Sequence, residues 1–143
     1  MLKQYVHRPR SQSPFREVGE IIWGRFGNYL EAGAACRPKG RPGIILAPHN
    51  CQHFVVGLTT KAVCKISGEP RVEIPSPQEL GLDDQRSFLW SPRPSRLCRL
   101  DVREHKGWIT AEVVELLHDH AYVDQAVLSR LWSVACRRHA LPK

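Results

Sequence analysis

The sequence predicts a β-rich α+β fold, a strongly bent sheet or half-barrel followed by one or two C-terminal helices. Two patterns point there. Between residues 20 and 100, short β-branched or aromatic runs alternate with clusters of Gly and Pro, the punctuation of strands and turns. Beyond Thr110, apolar residues recur at helical spacing in two stretches. At 143 residues the chain reads as one domain, large enough to bury a core without disulfide staples.

Taken in order, residues 1–17 place Arg8, Arg10 and Arg16 among Pro, Ser and Gln with little periodicity, which predicts a flexible basic arm. The domain proper is expected over 18–120, with an additional helix in 121–143. Glu20 to Phe26 has strand content, bounded by Gly19 and by Gly27-Asn28. A long loop, 27–43, follows. Ile44-Ile45-Leu46 and Phe54-Val55-Val56 read as a hairpin that ends in Thr59-Thr60. Lys61 to Pro70 reads as a second loop, Arg71 to Ile74 as a strand closed by Pro75 and Pro77, and Gly81 to Trp90 as a turn followed by a strand.

Leu97 to Leu100 reads as a further short strand. Residues 93–106 carry Arg93, Arg96, Arg99, Arg103 and Lys106 against Asp101 and Glu104, a pattern that suits either a charge-protected edge strand or a polyanion contact. Thr110 is a good N-cap for a helix ending near His120, with Glu112 in its first turn and Val113, Leu116 and Leu117 as its stripe. Asp124 can cap a second helix, in which Leu128, Leu131, Trp132 and Ala135 recur and Arg137, Arg138 and His139 close the last turn. That helix packs on its own domain or offers Trp132 to a partner.

Lys and Arg number 21 against 14 acids, a formal net charge of +7 that favours a polyanionic partner, nucleic acid first. The five cysteines, at 36, 51, 64, 98 and 136, show no paired short spacing, so neither a disulfide framework nor a C-x-x-C motif is written here. A reducing cytoplasm is the expected compartment, with no signal peptide or membrane span expected. His49, Cys51 and His53 alternate as metal ligands on one strand face would, but a turn is expected between them, and no metal is assigned. His118 and His120 suit the C-terminal end of a helix dipole.

The basic loop Arg37-Pro-Lys39-Gly-Arg41-Pro-Gly and the hydroxyl pair Thr59-Thr60 flank the hairpin and can meet at one mouth of the sheet, where an anion would be held. Phe26, Tyr29 and Trp90 are candidate stacking platforms for unpaired bases, with core packing the competing role for each.

Four motifs in register give these residues a wider context. Gly19-Glu20-Ile21-Ile22-Trp23, Gly40-Arg41-Pro42-Gly43-Ile44-Ile45-Leu46, Gly57-Leu58-Thr59-Thr60 and Leu82-Asp83-Asp84-Gln85-Arg86-Ser87-Phe88-Leu89-Trp90 together resemble the MazF/PemK-type toxins of type II toxin–antitoxin pairs. The resemblance covers about residues 18–120. It implies a small SH3-like (CcdB/PemK-type) β-barrel with a C-terminal helix. It also implies a dimeric, cofactor-independent and metal-independent endoribonuclease that cuts single-stranded RNA through the RNA's own 2′-hydroxyl, neutralised by a protein antitoxin. Under it Arg41 and Thr59 are the catalytic pair, with Arg37, Lys39, Thr60, Lys61, Tyr29 and Gln85 as the RNA-binding set. The alternative is an inactive nucleic-acid or protein binding module on the same barrel.

Overall fold

The computed structural model describes residues 16–26, 39–48, 52–65, 67–83 and 85–139. Within them, seven strands are followed by two helices: β1 Glu20–Phe26, β2 Lys39–Ala47, β3 Gln52–Thr59, β4 Glu73–Ile74, β5 Ser87–Leu89, β6 Ser95–Cys98, β7 Val102–Trp108, α1 Ala111–His120 and α2 Gln125–Arg138. A short 3-10 turn, Pro77–Leu80, precedes β5, and another, Arg99–Asp101, joins β6 to β7. All pairings are antiparallel, in the order β4-β5-β3-β2-β1-β7, with β6 also pairing β3.

Most of β1, residues 41–46 of β2 and the second half of β3 are buried on both faces, which is why their sequences carry continuous apolar runs, whereas β7 is half-buried or exposed. Consecutive residues go to opposite cores. Ile21, Ile44, Val56 and Leu58 face the helices and pack with Val113, Leu117, Leu128, Leu131 and Ala135. Ile22, Phe26, Ile45, Val55 and Leu97 form a second, smaller cluster on the other face, joined by Trp90 and Val102. The sheet curls around this second cluster. A β-carbon at Gly24 of β1 would stand 2.9 Å from Leu97 Cδ2 of β6, although β2 and β3 separate the two strands in the sheet.

Both helices start where the caps predict. Thr110 Oγ1 accepts the Val113 N–H at 3.4 Å, and Asp124 Oδ1 accepts the Val127 N–H at 2.9 Å. At the far end of α2, Arg138 lies over the Trp108 ring at 3.9 Å and donates to Glu17 at 2.6 Å, while His139 Nε2 donates to the Trp108 carbonyl at 2.8 Å. The last turn is therefore held by β7 as well as by its own dipole. Leu128, Leu131 and Ala135 are buried, and Trp132 is 44% exposed. Among the described residues, no helix is long and apolar enough to cross a membrane.

Three segments differ from the sequence expectation. Residues 39–43, read as loop, are the first half of β2. Pro42 is tolerated because at that point β2 is paired only on the β1 side, Trp23↔Pro42, the β3 ladder having ended at Gly43↔Gly57. Arg71 to Ile74 shrinks to the two residues of β4, since upstream of it the backbone pairs with the loop after β3, the Arg71 N–H donating to the Ala62 carbonyl at 2.8 Å. The basic stretch 93–106 is two strands, β6 and β7, joined by a 3-10 turn, and the short strand expected over 97–100 begins and ends two residues earlier.

Candidate active site

Arg41 occupies β2 opposite Gly24, and the alternation of the strand sends its side chain to the smaller cluster. There its guanidinium carbon lies 3.8 Å from the Trp90 ring centroid and 5.8 Å from that of Phe26. The two rings meet edge to face at 6.2 Å and 73°. Arg41 is only 6% exposed, so a full positive charge is held in this core against an aromatic face.

The chain permits that stack through Gly57. A β-carbon there would stand 2.8 Å from Trp90 Cε3 and 3.0 Å from Phe26 Cε2, so only a glycine lets both rings lie on β3. Trp90 is anchored at both ends of its peptide: its N–H donates to the Gly57 carbonyl at 2.9 Å and its carbonyl accepts Arg71 Nε at 3.0 Å. Arg71 Nη1 also reaches the carbonyls of Lys61 at 3.2 Å and Val63 at 3.1 Å. One guanidinium thus ties the loop after β3 to Trp90, the residue that follows β5. An arginine in this role leaves little trace in sequence beyond its place directly after a loop, and it was read as part of a strand.

Thr59 stands on the same face as Arg41. Leu58 packs in the helix-side core, so the alternation of β3 turns Gly57 and Thr59 to the other face, the one Arg41 enters from β2; the β2–β3 ladder itself ends at Gly43↔Gly57. Thr59 is half-buried, pairs with Phe88 of β5, and its Oγ1 accepts the Lys61 N–H at 3.2 Å, a turn that leaves the hydroxyl hydrogen to donate elsewhere. Thr60 and Lys61 follow, both exposed, just past the end of β3. Gln85 is exposed ahead of β5, the strand that flanks Thr59, so it belongs to the same end of the sheet. Next to it, Arg86 grips Glu73 through two bonds of 2.8 and 2.9 Å. That fork holds the Glu73 carboxyl below its usual range and the Arg86 guanidinium above its own.

Of the remaining sequence candidates, Tyr29, Arg37, His49 and Cys51 lie outside the described residues, and Lys39 is placed by its backbone as the first residue of β2, opposite Phe26. Phe26 is 2% exposed and belongs to the core, whereas Trp90 is half-buried and also lines an open cavity of about 480 Å³ with Cys64, Val72, Leu89, Pro92 and His120. His105, which had no expected role, places Nδ1 2.9 Å from the buried Glu20 carboxyl, which also accepts Arg16 Nη1 at 2.8 Å. His118 and His120 are exposed in the last turn of α1. Among the described residues, no group of three or more His, Cys, Asp or Glu is placed to hold a metal ion.

The arrangement offers a buried guanidinium stacked on Trp90 and a half-buried hydroxyl on one face, with exposed Lys61 and Gln85 beyond the ends of β3 and β5. The planar donors of a guanidinium suit the non-bridging oxygens of a phosphate. A scan against protein-family models and a search of the curated proteins each return no match for the chain.

Proposed function

We propose that the protein is a metal-independent endoribonuclease of MazF/PemK type acting on single-stranded RNA. The observation that carries this reading is the guanidinium of Arg41, held against Trp90 on the face of the sheet to which the alternation of β3 also turns Thr59. A ribose 2′-hydroxyl attacks the adjacent phosphorus, the P–O5′ bond breaks, and the products are a 2′,3′-cyclic phosphate and a 5′-hydroxyl end. Arg41 stabilises the charge that gathers on the non-bridging oxygens, and Thr59 donates to the same phosphate or orients the 2′-hydroxyl. Thr60, Lys61 and Gln85 bind the flanking chain, joined in this reading by Arg37, Lys39 and Tyr29. The small curled sheet is the SH3-like barrel of that family, the working unit is a homodimer in the cytoplasm, and a protein antitoxin covers the basic mouth.

The test is incubation with mixed-sequence single-stranded RNA in excess chelator. Wild-type protein is expected to leave cyclic-phosphate ends. Arg41→Ala is expected to slow cleavage by about 10²–10³-fold, the effect of losing one oxyanion donor. Absence of cleavage by the wild type, or an unchanged rate in Arg41→Ala, refutes the assignment.

The burial of Arg41 favours a second reading, in which the same stack closes the smaller core and the protein binds RNA or a protein partner without cutting. Binding without cleavage, together with a loss of stability in Arg41→Ala, is the outcome that selects it.

A further inference from the structure

The two faces of the sheet differ at the β6 edge. On the helix side, α1 and α2 cover Ile44, Val56 and Leu58, but at the β6 end Phe54 stands 39% exposed on that same side. Its cross-strand partner is Arg96, also exposed, with the guanidinium carbon 5.9 Å from the Phe54 ring centroid. Three residues earlier, Arg93 lies 5.5 Å over the ring of Tyr122, which is 67% exposed in the α1–α2 connection. The Tyr122 N–H donates to the Pro92 carbonyl at 2.8 Å, fixing this second pair beside the first. Arg93 and Arg96 are at most about 11 Å apart along the chain. Gln52 and Cys98, the next opposed pair, continue the row, and exposed Arg99 follows in the 3-10 turn.

Three acids lie near: Asp101, in the same 3-10 turn as Arg99, and two that are engaged. Asp119 lies 3.1 Å from His118 Nδ1, and Asp124 caps α2. Strand alternation sets Phe54 and Arg96 on the opposite side of the sheet from Arg41 and Thr59, while Tyr122 and Arg93 adjoin, through Pro92, the cavity that Trp90 lines.

We propose that Phe54–Arg96 and Tyr122–Arg93 form a second nucleic-acid surface, a track on which single-stranded polynucleotide lies with bases against the two rings and phosphates at Arg93, Arg96 and Arg99. Exposed aromatics interleaved with cations are what a sequence-tolerant single-strand binder needs: every base has a face to stack, and every nucleotide carries one phosphate. An overall charge of +7 draws the polyanion in. Stacking and phosphate contacts are tolerant of both base and sugar, so RNA and DNA of the same length are expected to bind alike.

The test uses the full chain and a fluorescent single-stranded oligodeoxynucleotide, which lacks the 2′-hydroxyl and reports binding whether or not the protein cleaves RNA. Arg93→Ala/Arg96→Ala is expected to weaken binding at low salt and to reduce the slope of log affinity against log salt by about 1.4, two phosphates' worth for a single strand. Phe54→Ala/Tyr122→Ala removes two stacking rings and is expected to weaken binding about thirtyfold or more while leaving that slope unchanged. Both pairs are on the surface, and unchanged thermal midpoints confirm that the fold is intact. Arg93→Lys/Arg96→Lys keeps the charge and is expected to keep the slope. An unaltered affinity in either alanine pair overturns the proposal, as does polyphosphate competing as well, per phosphate, as the oligonucleotide.

Discussion

The two faces of one sheet are built from neighbouring residues and do different work. Ile21, Ile44 and Val56 face a core closed by aliphatic side chains of α1 and α2. Their chain neighbours Ile22, Ile45 and Val55 face a smaller core whose lid is an indole with a guanidinium against it. Beneath the helices the first face is apolar burial, with about 1.5–3 kcal/mol for each large side chain removed from water. On the second, a buried charge is kept at a cost that aliphatic packing would have avoided. The comparison teaches that stability resides with the helices and that the proposed site sits where the packing is least economical.

The sharpest way to break this comparison is to injure each face in turn. Leu131 is fully buried beneath α2, and Leu131→Ala is expected to cost about 2–5 kcal/mol in urea unfolding, the largest stability loss among the changes considered. The Arg41–Trp90 stack should persist in the protein that remains folded. On the other face, Gly57→Ala forces a β-carbon into Trp90 and Phe26, at an expected cost of about 1–3 kcal/mol in the same assay. Because the displaced ring is the one that holds Arg41, near-ultraviolet circular dichroism should change with it, and RNA cleavage should fall further than the stability loss explains.

Smaller effects sharpen the boundary between fold and site. Asp124→Ala removes the α2 cap and is expected to cost about 1 kcal/mol in thermal unfolding with no change at the Arg41 face. Arg86→Ala releases Glu73, whose carboxyl should titrate closer to its ordinary value by NMR. The sign follows from the depressed carboxyl: the pair contributes stability above the ordinary carboxylate range and loses it as the pH falls through the lowered value in the folded protein. Since both groups are fully exposed, the change in acid stability should be slight.

Local patterning made the helices legible: Thr110 and Asp124 are strong caps, and the apolar spacing behind each marks the buried face. β1 and β3 were legible from their β-branched and aromatic content. The first half of β2 was not, because Gly40, Pro42 and Gly43 are turn residues by local preference. Here they serve close packing and a one-sided ladder, a tertiary demand that no short window reveals. Arg41 and Thr59 could be named as a pair from sequence, but their common face depends on the alternation of β2 and β3 within one sheet. The stacking of Arg41 on Trp90 and the three carbonyl bonds of Arg71 are long-range arrangements, written in residues that lie 49 and up to 19 positions away. The Phe54–Arg96 pairing was hidden for the same reason.

The most direct test of the central claim is a double-mutant cycle on RNA cleavage in chelator, combining Arg41→Lys with Thr59→Val. If the guanidinium and the hydroxyl hold one phosphate together, each single change abolishes most of the activity and the double variant is scarcely worse than either, a coupling well above 0.5 kcal/mol. Effects that simply add, or full cleavage by either single variant, contradict the account.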